Sequence, residues 1–178
     1  TGNMQIGDTE LIGWGPADVH IAGDQGGGAP SYAHFAPLMD EEPLNEGQTI
    51  TQTIDGNGSI GDAPAMASYG VTAAEYVPAT NHRVASVFWE FMNSHGPIIE
   101  NGVATSGPLF ENPYYAAGLP TTEAYWTNIA VGGVQQDVLV QAFERRVLTY
   151  TPGNDEGWKV EAGNVGQHYY SWRYVQAQ

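Results

Sequence analysis

VQQDVLVQAFERRVLTYTPGNDEGWKVEAGNVGQHYYSWRY, residues 134–174, is the densest run of apolar and aromatic side chains in the chain, and its reading decides the fold. It divides into three short strands and a closing helix. Along Val138–Phe143, one face carries Val138, Val140 and Ala142 and the other carries Leu139, Gln141 and Phe143. A strand with apolar side chains on both faces belongs in the middle of a sheet. Val147–Thr151 predicts the next strand, and the turn-forming run Pro152-Gly153-Asn154-Asp155-Glu156-Gly157 separates it from a third at Trp158–Ala162. After Gly163, Asn164 is placed to cap a helix whose Val165, Tyr169 and Trp172 recur at helical spacing, folding it back onto the sheet. The unit reads as a packing meander.

Working outward, Tyr125, Trp126, Ile129 and Val131 predict a preceding strand that turns at Gly132-Gly133 into the meander. Asn81–Asn93 predicts a helix, with Val84, Val87, Phe88, Phe91 and Met92 on one stripe and Gly96-Pro97 beyond its end. Asn101-Gly102 and Asn57-Gly58 each predict a hairpin, since Asn-Gly supplies the positive φ angles of a tight turn. Short helices are expected at 31–38, at 62–67 with Pro64 in the first turn, and at 112–117. Near the start, Met4-Gln5-Ile6, Leu11-Ile12 and Val19-His20-Ile21 are β-like pieces without a neighbouring strand, and QGGGAP at 25–30 reads as a joint. The expected fold is therefore α+β, mostly β and loop: an antiparallel β-meander packed with short helices and preceded by an extended arm. The arm and joint would occupy 1–30 and a single globular domain 31–178.

Composition narrows the function. Five Lys plus Arg against twenty Asp plus Glu give a formal charge of −15, which repels nucleic acid and anionic membrane surfaces. No apolar run approaches the roughly 18 residues that cross a bilayer. Only 14% of the residues are charged, so Thr, Asn, Gln, Ser and Gly must supply the surface, a composition common on secreted proteins and pointing to an extracellular or cell-surface location. Zero cysteines exclude disulfides and thiolate chemistry. Thr1 opens the sequence without a signal-like stretch, which reads as a processed form or a piece of something longer.

Several spaced motifs carry a resemblance. Val87-Phe88-Trp89, Phe91-Met92-Asn93, Gly118-Leu119-Pro120-Thr121-Thr122-Glu123, Val140-Gln141-Ala142-Phe143-Glu144-Arg145, Tyr150-Thr151-Pro152, Gly163-Asn164-Val165-Gly166 and His168-Tyr169-Tyr170 follow one another in order. Over about 82–174 the chain resembles a C-terminal module of secreted bacterial cell-surface proteins, and it is distantly similar to the LGFP repeats of cell-wall-associated proteins. The resemblance implies a repeat module in which Thr1–Asp8 is the tail of a preceding copy, with a neighbouring repeat or cell-wall polysaccharide as partner.

The chemistry-bearing candidates are few. Asp55, Asn57, Ser59 and Asp62 place oxygens at alternating positions, as a calcium loop would, but without a distal bidentate Glu; the hairpin reading is preferred and no cofactor is expected. The five histidines have no zinc spacing and no serine sits in G-x-S-x-G, so no metal or catalytic residue is assigned. Ten Tyr and five Trp could serve carbohydrate stacking. Trp89, Trp126, Trp158 and Trp172 are expected in the core, leaving Tyr114, Tyr115 and Tyr125 as exposed candidates for a glycan or partner. Arg145 and Arg146 are expected to pair with Glu144, Glu123 or Glu161. The leading expectation is a non-catalytic extracellular module binding copies of itself, in a filament or surface layer, through strand donation by Met4, Ile6, Val19 and Ile21. A glycan- or cell-wall-binding accessory module is the alternative, and a secreted hydrolase ranks below both.

Overall fold

A computed structural model describes residues 3–6, 10–13, 17–24 and 26–176. In chain order the strands and helices are β1 (Asn3–Ile6), β2 (Glu10–Gly13), α1 (Tyr32–Phe35), β3 (Gln52–Ile54), β4 (Ile60–Asp62), β5 (Ala73–Val77), β6 (His82–Ala85), α2 (Ser86–Met92), β7 (His95–Glu100), β8 (Val103–Pro108), β9 (Tyr125–Val131), β10 (Val134–Ala142), β11 (Val147–Tyr150), β12 (Val160–Ala162) and α3 (Val165–Tyr170). A 3-10 turn at Ala36–Asp40 extends α1, another spans Pro64–Tyr69, and a π-helical turn at Ser171–Gln176 extends α3. The chain is α+β, mostly β and loop with short helices.

The main sheet has six strands in the order β12-β11-β10-β9-β3-β4, antiparallel except where β3 meets β9 at Thr53 and Trp126. The predicted meander is its centre. Gly132 and Gly133, at φ 59° and 80°, close the β9–β10 hairpin in a conformation that a side chain would strain. Alternation along β9–β11 sends Trp126, Leu139 and Leu148 to one face, where they meet Val84, Phe88 and Met92. Tyr125, Val138, Val140 and Val147 go to the other face, against Ile21, Phe35 and Leu38. Each such side chain, fully buried, contributes roughly 1.5–3 kcal/mol. The polar exception on β10, Gln141, is completely satisfied: its Oε1 accepts from Ala85 N at 3.1 Å, and its Nε2 donates to Arg83 O at 2.7 Å and Thr122 O at 2.9 Å.

Two expectations need correction. The helix foreseen at 81–93 is half strand: α2 begins at Ser86, and His82–Ala85 is β6, paired with β5 after Asn81 turns at φ 57°. Tertiary partners decide this, because Glu123 Oε1 takes the Arg83 N–H at 2.7 Å and Gln141 takes that of Ala85. Nor does an arm extend to Pro30. Ile21 N donates to Pro30 O at 2.9 Å, Asp24 N to Ala130 O at 2.9 Å and Tyr32 N to Val19 O at 3.1 Å, so residues 17–24 and 26–30 are built into the body. Ahead of them, β1 and β2 pair with each other in a sheet of their own, Met4 opposite Ile12 and Ile6 opposite Glu10.

β7 and β8 form another isolated pair, with six residue pairs from His95 opposite Pro108 to Glu100 opposite Val103. The Asn101-Gly102 turn has the expected positive φ angles, 50° and 79°.

Candidate functional site

A concavity lies where α3 and its π-helical extension cross toward α1 and the β10–β11 connection. Asn164 caps α3, its side chain accepting from Gln167 N at 3.1 Å. That start points Trp172 inward, where it packs on Val19. The cleft encloses about 550 Å3 and its walls include Val19, Phe35, Phe143, Val147 and Trp172. Tyr32 and His168 meet across it, hydroxyl to Nδ1 at 2.8 Å. Burial pushes the Tyr32 phenol up to about 12 and pulls the His168 imidazole below its ordinary value. The ring is therefore neutral near pH 7, and the phenol donates to Nδ1.

Arg145 and Arg146 line the same cleft beside Glu144. Their expected carboxylate pairing is corrected. Both are exposed; Arg145 Nη2 donates to Tyr114 O at 3.0 Å and Arg146 Nη1 to Arg145 O at 3.0 Å. Glu144 Oε2 instead accepts from Leu119 N at 3.0 Å. The cleft's carboxylate and histidine are both engaged by the protein itself, and the remaining wall is mostly hydrocarbon. Such a lining suits holding an apolar group better than moving protons.

A buried pair went unseen in the sequence. His82 and Glu123, 1% and 2% exposed, approach to 3.4 Å, and His82 Nε2 lies 3.1 Å from Met39 O. The Glu123 carboxylate beside Nδ1 raises the His82 pKa against the opposing effect of burial. Neither residue lines the cleft, and the pair clamps the end of the 3-10 turn to β6 and to the start of β9. Forty residues of sequence separate the partners, with no shared motif to join them.

The exposed-aromatic candidates divide. Tyr115 is 76% exposed, whereas Tyr114 is half-buried against Trp89, ring centroids 5.7 Å apart. Tyr125 is a correction: it is buried in the main sheet beside Phe35, and burial pushes its pKa to about 12, so no ligand reaches it. Trp158, expected in the core, is 69% exposed on the loop before β12. Of the assembly candidates, Val19 and Ile21 are corrected as well, since both are buried within their own chain and cannot serve a neighbour. Met4 and Ile6 lie on β1. In the calcium-like loop, Asp55 Oδ1 accepts from Asn57 N at 2.8 Å and Ser59 N at 2.9 Å, which holds its carboxyl below the usual range. Asp62 accepts from the Thr51 hydroxyl. Those contacts make the segment a hairpin turn with Gly58 at φ 81°.

No family model, curated protein or solved structure matches the chain.

Among the described residues, the β7–β8 hairpin is one of the places where large apolar side chains stand uncovered. Ile99 is 75% exposed, Val103 66% and, just past β8, Leu109 50%. Glu100 is the single acid between His95 and Phe110. In a chain of formal charge −15, this is a surface where a second acidic molecule meets little repulsion.

Proposed function

We propose that the protein is a non-catalytic, extracellular structural module that works at the cell surface by associating with copies of itself. The observation that carries this reading is the β7–β8 hairpin, which stands outside the main sheet with Ile99 and Val103 bare and one acid along its length. Apolar side chains held away from a protein's own core gain from burial only against another surface. The β1–β2 pair, also outside the main sheet, offers a second point of attachment and keeps the N-terminal segment in the proposal as a contact element. Resemblance to secreted cell-surface modules supports the location, as does the scarcity of charged side chains in so acidic a chain.

The test is mass against concentration by light scattering or sedimentation, with electron microscopy at the highest concentration. Wild type is expected to form assemblies, and Ile99→Ser with Val103→Ser to shift them toward monomer. A chain that stays monomeric throughout refutes self-association.

A second reading, attachment to cell-wall glycan, is favoured by Tyr115 alone among Tyr114, Tyr115 and Tyr125, since only its ring stands clear of the surface. Tyr115→Ala would then weaken retention on peptidoglycan, while Tyr114→Ala would chiefly loosen the packing on Trp89.

A further inference from the structure

The self-association proposed above has a defined pairing strand. We infer that β8 of one molecule adds edge-on to β8 of a second copy, antiparallel and centred on Thr105, joining two hairpins into one continuous sheet.

The register of the hairpin identifies the free groups. Across a two-residue turn, the flanking pair Glu100 and Val103 exchange both hydrogen bonds, and bonded pairs then alternate with unbonded ones. Thr105 with Ile98 and Gly107 with Gly96 are thus turned inward to β7. Ala104 and Ser106 direct their N–H and C=O outward, and among the described residues no other strand lies against them. On the opposite edge the outward positions are His95, Pro97 and Ile99, and Pro97, with no N–H to offer, falls between the other two. On β8 the outward proline, Pro108, is the last residue, so Ala104 and Ser106 leave an uninterrupted pair of outward positions for pairing.

Other sheet edges are guarded. β4 and β12 are three residues long and carry Asp62 and Glu161; β5 carries Glu75 and β2 carries Glu10. On β6 the free N–H groups of Arg83 and Ala85 are taken by the side chains of Glu123 and Gln141. By contrast, β8 carries no charge, and its one proline, Pro108, is its last residue. Short length, charge and proline are the usual means of keeping strand edges apart, and an edge without them is a template for another chain. β1, four residues long, is also uncharged, but β8 offers the longer ladder.

The occupant follows from charge and symmetry. Two chains of −15 repel except where acids are sparse, and the run from Asn101 to Phe110 contains none. Antiparallel pairing about Thr105 sets Ala104 opposite the partner's Ser106 and Ser106 opposite the partner's Ala104, so all four outward residues bond. The two Thr105 side chains face each other in an unbonded pair, a favourable cross-strand combination. The arrangement is two-fold symmetric, each molecule presenting the same strand. Because it joins at a charge-poor strip between acidic bodies, added salt strengthens it.

The absence of native cysteine makes the test clean. Thr105→Cys is expected to form a disulfide-linked dimer in air, since facing unbonded strand positions fall within disulfide reach, whereas Ser59→Cys on an exposed turn is not. Ala104→Pro and Ser106→Pro remove an outward N–H while sparing the bonds to β7, and should weaken association roughly tenfold or more with the circular dichroism spectrum unchanged. Ala104→Lys, which keeps the N–H but guards the edge with charge, should do the same and covers the case in which a proline variant misfolds. Wild-type association that survives all three variants overturns the β8 pairing yet leaves self-association standing; loss on deleting residues 1–13 would then move the contact to β1. Association that weakens with salt also overturns it, pointing to Arg145 and Arg146. Monomer at every concentration removes the pairing and the underlying reading together.

Discussion

The β9–β10 and β7–β8 hairpins share the same local chemistry and end in opposite environments. Each is an antiparallel ladder closed by two residues at positive φ, Gly132-Gly133 in one and Asn101-Gly102 in the other. β9–β10 continues into strands on both sides and buries apolar side chains on both faces. Among the described residues β7–β8 has no strand beside it, and it leaves Ile99 uncovered. Turn chemistry therefore specifies that a hairpin forms and where it reverses. Whether it becomes core or surface depends on layers supplied from elsewhere in the chain, here by Ile21, Phe35, Val84 and Phe88.

The largest effect that separates the two is loss of a core ring. Trp126→Ala should cost about 3–5 kcal/mol, a sizeable part of the roughly 5–15 kcal/mol that holds a domain together, because it opens a cavity and strands Ile50 O, to which the indole donates at 2.8 Å. Ile99→Ala should change stability by no more than about 0.5 kcal/mol. Urea denaturation of both variants at low protein concentration checks this, and comparable losses would break the contrast. Gln141→Leu comes next. It leaves Ala85 N, Arg83 O and Thr122 O without their partner, each at about 1–3 kcal/mol if water cannot replace it.

Those two residues also mark how far the sequence could be read. The central position of β10 was legible because Val138–Phe143 is apolar on alternate residues of both faces, and so were both tight turns, since few residues tolerate positive φ. The role of Gln141 was not: a glutamine in a buried strand announces a polar partner without naming it, and its partners lie 19 to 58 residues away. The same distance problem hid His82 and Glu123 and turned the start of the expected helix into β6. Periodicity also misplaced Trp158, whose loop cannot be told from a strand start by alternation, and Tyr125, whose burial depends on Phe35 from a distant segment. At the candidate site, Trp172 could be placed inward from helical spacing, but the Tyr32–His168 contact spans 136 residues and needs the folded chain.

A smaller, local effect sharpens the comparison within β7–β8 itself. Under native conditions the amides of Ala104 and Ser106 should exchange with solvent deuterons at nearly unprotected rates in the monomer, while those of Val103 and Thr105 are slowed by their bonds to β7. Amides in the middle of β10 should exchange only on global unfolding. Protection appearing at Ala104 and Ser106 as concentration rises would report the edge being covered.

The smallest expected effect concerns two histidines whose pKa values are shifted in opposite senses. His82 faces Glu123 and, farther off, Asp40; the nearby Glu123 carboxylate raises its pKa above the ordinary value of 6.5. Its contribution is complete below about pH 6.5 and is lost as pH climbs through the raised folded value. His168 faces the Tyr32 hydroxyl, and burial lowers its pKa below 6.5. Its contribution is complete above about pH 6.5 and is lost as pH falls toward the lowered folded value. Each histidine changes the slope by at most one proton, roughly 1.4 kcal/mol per pH unit. Comparing Tm across pH, the gap between wild type and His82→Gln should narrow as pH rises past 6.5, and the gap between wild type and His168→Gln should narrow as pH falls past it. Because both gaps are differences from wild type, the many surface carboxylates common to all three proteins cancel. A gap at His82 that widens with rising pH would mean that burial outweighs the attraction of the Glu123 carboxylate, and the clamp on β6 would then hold a neutral ring.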